Sequence, residues 1–174
     1  MRKLSILSYI FAGLMLSSCD GYLKEDPRDQ LYPEDAYDTP QNVYLNTVAS
    51  LYNYIGGYSD SQGLQGTYRG VYDLNTFTTD EAMLPTRGGD WYDGGFWQGL
   101  FLHKWGTNSD AIQATWEYLY KVIVLSNQSL EILGELRQKT DYNDLDRYEA
   151  EVRAFRAMYY YYLVDMFGLS LIHI

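Results

Sequence analysis

The sequence predicts an all-α fold organised around one long helical hairpin. Two long apolar stripes with helical spacing, joined by a short polar segment, carry that prediction, and a shorter stripe precedes them. The shorter stripe opens at Thr39-Pro40, a capping hydroxyl followed by proline at the first helical position. Val43, Thr47, Val48, Leu51 and Tyr54 then recur on one face until Gly56-Gly57 stops the helix.

The hairpin follows a long irregular stretch. From residue 58 to 107, Gly63, Gly66, Gly70, Gly88, Gly89, Gly94, Gly95, Gly99 and Gly106 alternate with aromatic and polar residues and no helical period is sustained. One short helix is expected around Trp97 to Leu102. A loop of this length in a compact domain is a functional element or disordered, and its aromatics favour order. The first hairpin helix begins near Asn108, Ser109 and Asp110, with Ile112, Trp116, Leu119, Ile123, Ser126, Leu130 and Leu133 as its stripe. The second runs from about Asp144 to Phe167 on Leu145, Tyr148, Val152, Phe155, Tyr159, Tyr162 and Met166. Glu149 and Arg153, four apart, form a pair in the favourable order on the wet side. Ala150, Ala154 and Ala157 add a strip of small residues suited to close packing. Such hairpins stack in tetratricopeptide-like solenoids, in which one repeat alone cannot bury its stripe. A coiled-coil dimer is the alternative use of the same stripes.

Composition narrows the function. The chain has 174 residues, enough for one domain with a real core, and a formal charge of −10. Nucleic acid is excluded as a partner, because nothing supplies the cationic contacts that phosphates demand. Docking on anionic lipid fails on the same ground, whereas a neutral or cationic ligand is compatible. Nineteen tyrosines bring flat apolar faces with polar tips, fitted to wet helix packing and to sugar binding alike.

The N-terminus carries an address. Arg2 and Lys3 precede an apolar run, Leu4 to Leu16, that is shorter than the roughly 20 residues a membrane span needs. It ends in Leu16-Ser17-Ser18-Cys19, which resembles the lipobox of bacterial lipoproteins: small residues fit a signal peptidase cleft and free the thiol of Cys19 for lipidation. Cys19 is the sole cysteine, so no intramolecular disulfide exists. Cleavage before it removes two positive charges and takes −10 to −12. Residues 1–18 are thus the signal peptide and 19–38 a lipidated cysteine with a polar tether, whose acidic residues resemble a surface-export signal. Residues 39–168 form the folded body. Leu169-Ser170-Leu171-Ile172-His173-Ile174 can be encoded by CTG TCT CTT ATA CAC ATC, a transposon end used in sequencing libraries, so 169–174 is expected to be translated adapter.

Four segments, in order, resemble the SusD/RagB family: the lipobox with "CDGYLKEDP", then "FTTDEAMLPTRGGDWYDGGFW", "WEYLYKVIVLSNQSLEIL" and "YEAEVRAFRAMYYYYLVDMFG". Each is weak alone, yet together they cover nearly everything from Cys19 to Gly168. The resemblance implies the N-terminal part of a tetratricopeptide-like α-helical lipoprotein on the outer face of the outer membrane. It also implies a SusC-like TonB-dependent transporter as partner, over which the protein acts as a lid delivering oligosaccharides or other oligomers. No cofactor is implied.

Candidate site residues follow. Trp91, Tyr92 and Trp97 in the glycine-rich loop are a candidate platform for the C–H faces of sugars, with Arg87, Asp90 and Asp93 as polar contacts. Their other reading is structural, as plugs of the helical surface or contacts to the transporter. Asp80 and Glu81 are neighbours, and adjacent carboxylates rarely face each other across a glycosidic bond, so capping and backbone hydrogen bonds are their expected role. Asn127 lies mid-helix and is expected to form a buried polar link between helices. His103, the one histidine ahead of the suspect tail, makes neither a metal site nor a triad by itself. Two rival functions remain: a secreted glycan-degrading enzyme whose catalytic part lies beyond residue 168, and a structural lipoprotein without its own ligand.

Overall fold

A computed structural model describes residues 33–56, 63–64 and 70–168. The expected signal peptide, Cys19, most of the expected tether and residues 169–174 lie outside the described residues. Two compact units divide the chain at residue 36. Of the first, the short helix α1 (Pro33–Ala36) is described. The second, residues 37–174, holds everything that follows.

Among the described residues it is helical, and the only extended pairing is one isolated bridge, Arg87 with Asp90. The first helical run starts as expected. Thr39 is extended, its hydroxyl accepts from the Asn42 N–H at 3.2 Å, and Pro40 begins α2 (Pro40–Tyr44). The run is not one uniform helix, however. It widens into a π segment over Leu45–Ala49, resumes as α3 (Ser50–Asn53) and tightens to a 3-10 turn at Tyr54–Gly56. Gly57, expected to stop it, lies outside the described residues.

After the irregular stretch come α4 (Val71–Phe77) and α5 (Phe96–Phe101). The sequence reading anticipates α5 and misses α4, where only Val71, Asp73 and Leu74 are buried, too few to draw a stripe. The hairpin is α6 (Asp110–Lys139) and α7 (Leu145–Phe167); the start of α6 and both ends of α7 fall within a residue or two of their expected positions. Tyr118 meets Tyr159, Asn127 meets Arg156 and Arg137 meets Glu149, so numbers rise on one helix as they fall on the other and the pair is antiparallel.

The α7 seam is Leu145, Tyr148, Val152, Phe155, Tyr159 and Leu163; Tyr162 and Met166 are half-buried at its margin. On α6 the seam sits about one residue earlier than the expected stripe. Ala111, Thr115, Tyr118, Val122 and Ser129 are buried beside Leu119, Ile123, Ser126 and Leu133, while Ile112, Trp116 and Leu130 flank it. Small side chains explain the shift, because they let the backbones approach. Thr115 and Ser126 turn their hydroxyls onto their own helix, donating to the Ala111 and Val122 carbonyls at 2.8 and 2.7 Å, so neither carries an unmet polar group into the seam.

The first helical run lies against this pair. Ser129 of α6 donates to the Thr47 carbonyl at 2.9 Å inside the π segment, and Thr47 donates to Val43 at 2.7 Å. Tyrosines tie down both ends. Tyr142 and Tyr148 donate to the Asp38 and Pro40 carbonyls, and Tyr118 donates to the Tyr54 carbonyl at 2.6 Å. On the wet side Glu149 pairs with Arg153, as expected, and also with Arg137, 2.6 Å away. The Arg153 hydrogen bond holds the Glu149 carboxyl below its usual range.

The Tyr118 hydroxyl has one hydrogen, given to Tyr54, so at the 2.9 Å contact Tyr159 is the donor. Burial and that donation push the Tyr159 phenol far above its ordinary pKa. The two positions therefore differ. Tyr159→Phe removes a donor and orphans nothing, at about 1 kcal/mol. Tyr118→Phe removes the acceptor of the buried Tyr159 hydroxyl as well as the bond to Tyr54 and should cost about 1–2 kcal/mol more. Denaturant unfolding of the two variants, with equal m-values, checks the order.

Candidate functional site

A second, smaller core sits beside the hairpin end. Leu74 of α4, Trp97 and Leu100 of α5 and Ala111 of α6 are its buried centre, with Phe77, Leu84, Phe96 and Met166 packed around them. Trp97 is 6% exposed and meets both Phe77 and Phe96 edge-on at 5.1 and 4.9 Å. The sequence reading placed Trp97 on a sugar platform. Its ring faces are instead spent on core packing, because residue 97 falls on the inward side of α5.

Trp91 and Tyr92 are on the surface, 67% and 54% exposed. They ride a tight loop. Arg87 and Asp90 pair across Gly88-Gly89, with the Asp90 N–H donating to the Arg87 carbonyl at 3.0 Å. Gly88 and Gly89 have φ of +59° and +100°, the left-handed geometry such a two-residue turn demands. Trp91 and Asp93, at +58° and +43°, adopt it without being glycine. That strain is held where aromatics are displayed. Arg87, Asp90 and Asp93 are all exposed on this loop, so the structure brings five of the six expected contact residues onto one surface segment.

Two clefts open nearby, and neither is lined by those five. One, of about 330 Å³, is bounded by Leu74, Asn75, Thr78 and Leu100, by Ile112 at the start of α6 and by Asp165, Met166 and Phe167 at the end of α7. The other, of about 430 Å³, runs along Gly94, Gly95 and Phe96 to Lys104, Asn108 and Ser109. Trp105 borders both and is 45% exposed. Each cleft mixes apolar wall with a few polar groups, the make-up of a small-ligand site. Trp105 is not among the expected contact residues because it stands apart from the paired glycines that flank Trp91 and Trp97. Its signal was there in the lone tryptophan between Lys104 and Gly106.

The remaining expectations resolve as follows. Asp80 and Glu81 are exposed, and the bonds that end α4 come from their neighbours: Thr78 donates to the Leu74 carbonyl at 2.7 Å and Thr79 to Thr76 at 2.8 Å. Only the Glu81 backbone joins in, its N–H donating to the Thr79 hydroxyl. Asn127 does link the hairpin helices, accepting from Arg156 at 2.7 Å, but on an exposed face rather than a buried one. Arg156 can reach across only at the rim, since the seam itself is filled by Ser126 and Ser129. Among the described residues no cluster of His, Cys, Asp or Glu could hold a metal ion, and no helix is long and apolar enough to cross a membrane.

Trp97 and Trp91 should respond oppositely to truncation. Trp97→Ala empties the small core and should cost about 3–5 kcal/mol. Trp91→Ala, at an exposed position, should stay within about 0.5 kcal/mol of the parent. Thermal unfolding reads both.

Comparison with known proteins adds to this geometry. Residues 36–173 match a SusD-like family described as starch-binding and associating with the outer membrane. The chain is 26% identical to the SusD-like protein P25 of Formosa agariphila over 172 residues, 97% of this chain. It spans 31% of that relative's length. No solved structure matches significantly.

Proposed function

Since the chain belongs to the SusD/RagB family, we propose that it is a glycan-binding protein of the outer membrane, gripping oligosaccharides at Trp105. The observation that carries this is one tryptophan forming a wall of two adjacent clefts, whose linings combine apolar side chains with isolated polar groups. An exposed indole offers a flat apolar face to sugar C–H groups, while Asn75, Thr78 and Asn108 supply hydrogen-bonding partners for hydroxyls. Trp91 and Tyr92 provide further stacking surface on the neighbouring loop.

The protein acts by binding rather than by catalysis, a reading supported by the family description and by the exposed, adjacent Asp80 and Glu81. Cys19 carries the lipid that anchors it, facing the cell exterior, and a SusC-like TonB-dependent transporter receives the ligand. Anchoring beside such a pore replaces free diffusion with a high local ligand concentration.

Calorimetric titration of the full-length protein with starch-derived and other oligosaccharides tests the site. Trp105→Ala should weaken binding by about 30-fold, the loss expected of a central aromatic anchor, while Trp91→Ala weakens it less. Undiminished affinity in Trp105→Ala would remove the clefts from the binding site. Separately, Cys19→Ala should abolish incorporation of labelled palmitate and release the protein from the membrane fraction.

A further inference from the structure

We propose that His103 is the positioning residue of the binding site: it fixes Trp105 as the wall of both clefts by bracing the indole against the end of α4. The inference rests on the Trp105 reading above and assigns that site its mechanical support.

The end of α5 shows why His103 is unusual. The Lys104 N–H donates to the Gly99 carbonyl at 2.7 Å and the His103 N–H to the Leu100 carbonyl at 3.0 Å. This pair of bonds wraps up a helix C-terminus and places the residue after the cap in the left-handed region, where glycine is the default. His103 holds that place with φ +54°. Histidine enters this region more readily than most residues, but still at a cost that glycine does not bear. A histidine kept where the motif demands left-handed backbone and glycine would bear no cost invites a search for what its side chain does.

The side chain has two partners. Its Nε2 lies 2.6 Å from the Thr78 carbonyl, and because a carbonyl only accepts, Nε2 carries the hydrogen. Its ring meets Trp105 edge-to-face, centroids 5.4 Å apart at 67°. Thr78 is itself fixed, its hydroxyl turned back onto Leu74. Thr78 and Trp105 both line the 330 Å³ cleft. The imidazole thus links two residues of its wall. Trp105 needs that brace, since residues 104–109 form no regular element between α5 and α6.

Three variants of the full-length protein separate positioning from other roles. His103→Gly relieves the left-handed backbone and should leave unfolding unchanged or slightly harder, yet weaken oligosaccharide affinity about five- to tenfold. His103→Ala should lose the same affinity. His103→Asn tolerates the left-handed backbone but has no ring to meet Trp105, so it should lose the same affinity and shows that the ring, not the backbone, is what acts. A readout free of ligand accompanies these. Subtracting the emission of each variant in a Trp105→Phe background isolates Trp105, which should shift to the red and become more open to acrylamide quenching in all three variants. In a Trp105→Ala background, losing His103 should cost no further affinity. Unaltered Trp105 emission in His103→Gly overturns the proposal whether or not glycan binding is observed. Lost affinity with unaltered emission would make His103 a direct ligand contact instead. Absence of binding in the parent protein, with the emission shift intact, would sink the glycan reading and leave the brace standing.

Discussion

The structure of the second unit hangs on a short buried relay of hydroxyls. Tyr159 of α7 donates to Tyr118 of α6, and Tyr118 donates to the carbonyl of Tyr54, where the first helical run ends. Helix ends leave carbonyls without partners, and burying one unmet is costly. Here the Tyr54 carbonyl, near the close of the first run, takes a hydroxyl bond from the helix it packs against. Three elements are joined by two hydrogen bonds, and each phenol ring also fills core volume. Tyr142 and Tyr148 do the same at the start of that run through Asp38 and Pro40. Much of the tyrosine content therefore answers a packing problem: long side chains that are apolar along their length and can satisfy a backbone carbonyl at their tip.

The second constraint is how close the helices come. Thr115, Ser126 and Thr47 occupy seam positions because they are small and return their hydroxyls to carbonyls four residues back. Ser129 instead donates outward, into the π segment at Thr47. Wide turns of this kind open a helix at a site of insertion or function, and here the opened turn is where another helix docks. The seam then delivers its far end as a fixed frame. Ile112 at the start of α6 and Asp165, Met166 and Phe167 at the end of α7 are neighbours at the open end of the hairpin, opposite the joint at 140–144, and they form one side of a cleft.

The sequence allowed the helices to be read and left the site half-hidden. Long elements with many repeats of the pattern, α6 and α7, are legible, α7 at both ends and α6 at its start. A seven-residue helix such as α4 was not, because three buried positions do not establish a period. The α6 seam was read one residue off, since apolarity was used to find it and closeness of approach decided it. Trp97 shows the limit for sites. Among the tryptophans of the glycine-rich stretch, nothing in the sequence says which ring turns inward, and that depends on how α5 lies against α4. Trp105 emerges as a wall only when residues 74–78, 94–112 and 165–167 are brought together. Likewise Asn127 was legible as a helix link but its exposure was not.

The two cores divide the labour between frame and site. The hairpin seam is filled by aliphatic and hydroxyl side chains that interlock along two long helices. The smaller core is built on Trp97 beneath a loop rich in left-handed residues, and its elements are too short to hold themselves. The Lys104 N–H bond to the Gly99 carbonyl turns the chain from α5 toward Trp105. Met166 touches both cores, so the site's floor is tied to the frame at one point of α7. Charge supports the same division. On a chain of net charge −10, the cleft linings carry one cation, Lys104, and one carboxylate, Asp165. A site so balanced offers a large apolar face and scattered hydrogen-bonding groups without a fixed charge demand, which is what recognition of a neutral, hydroxyl-rich ligand requires.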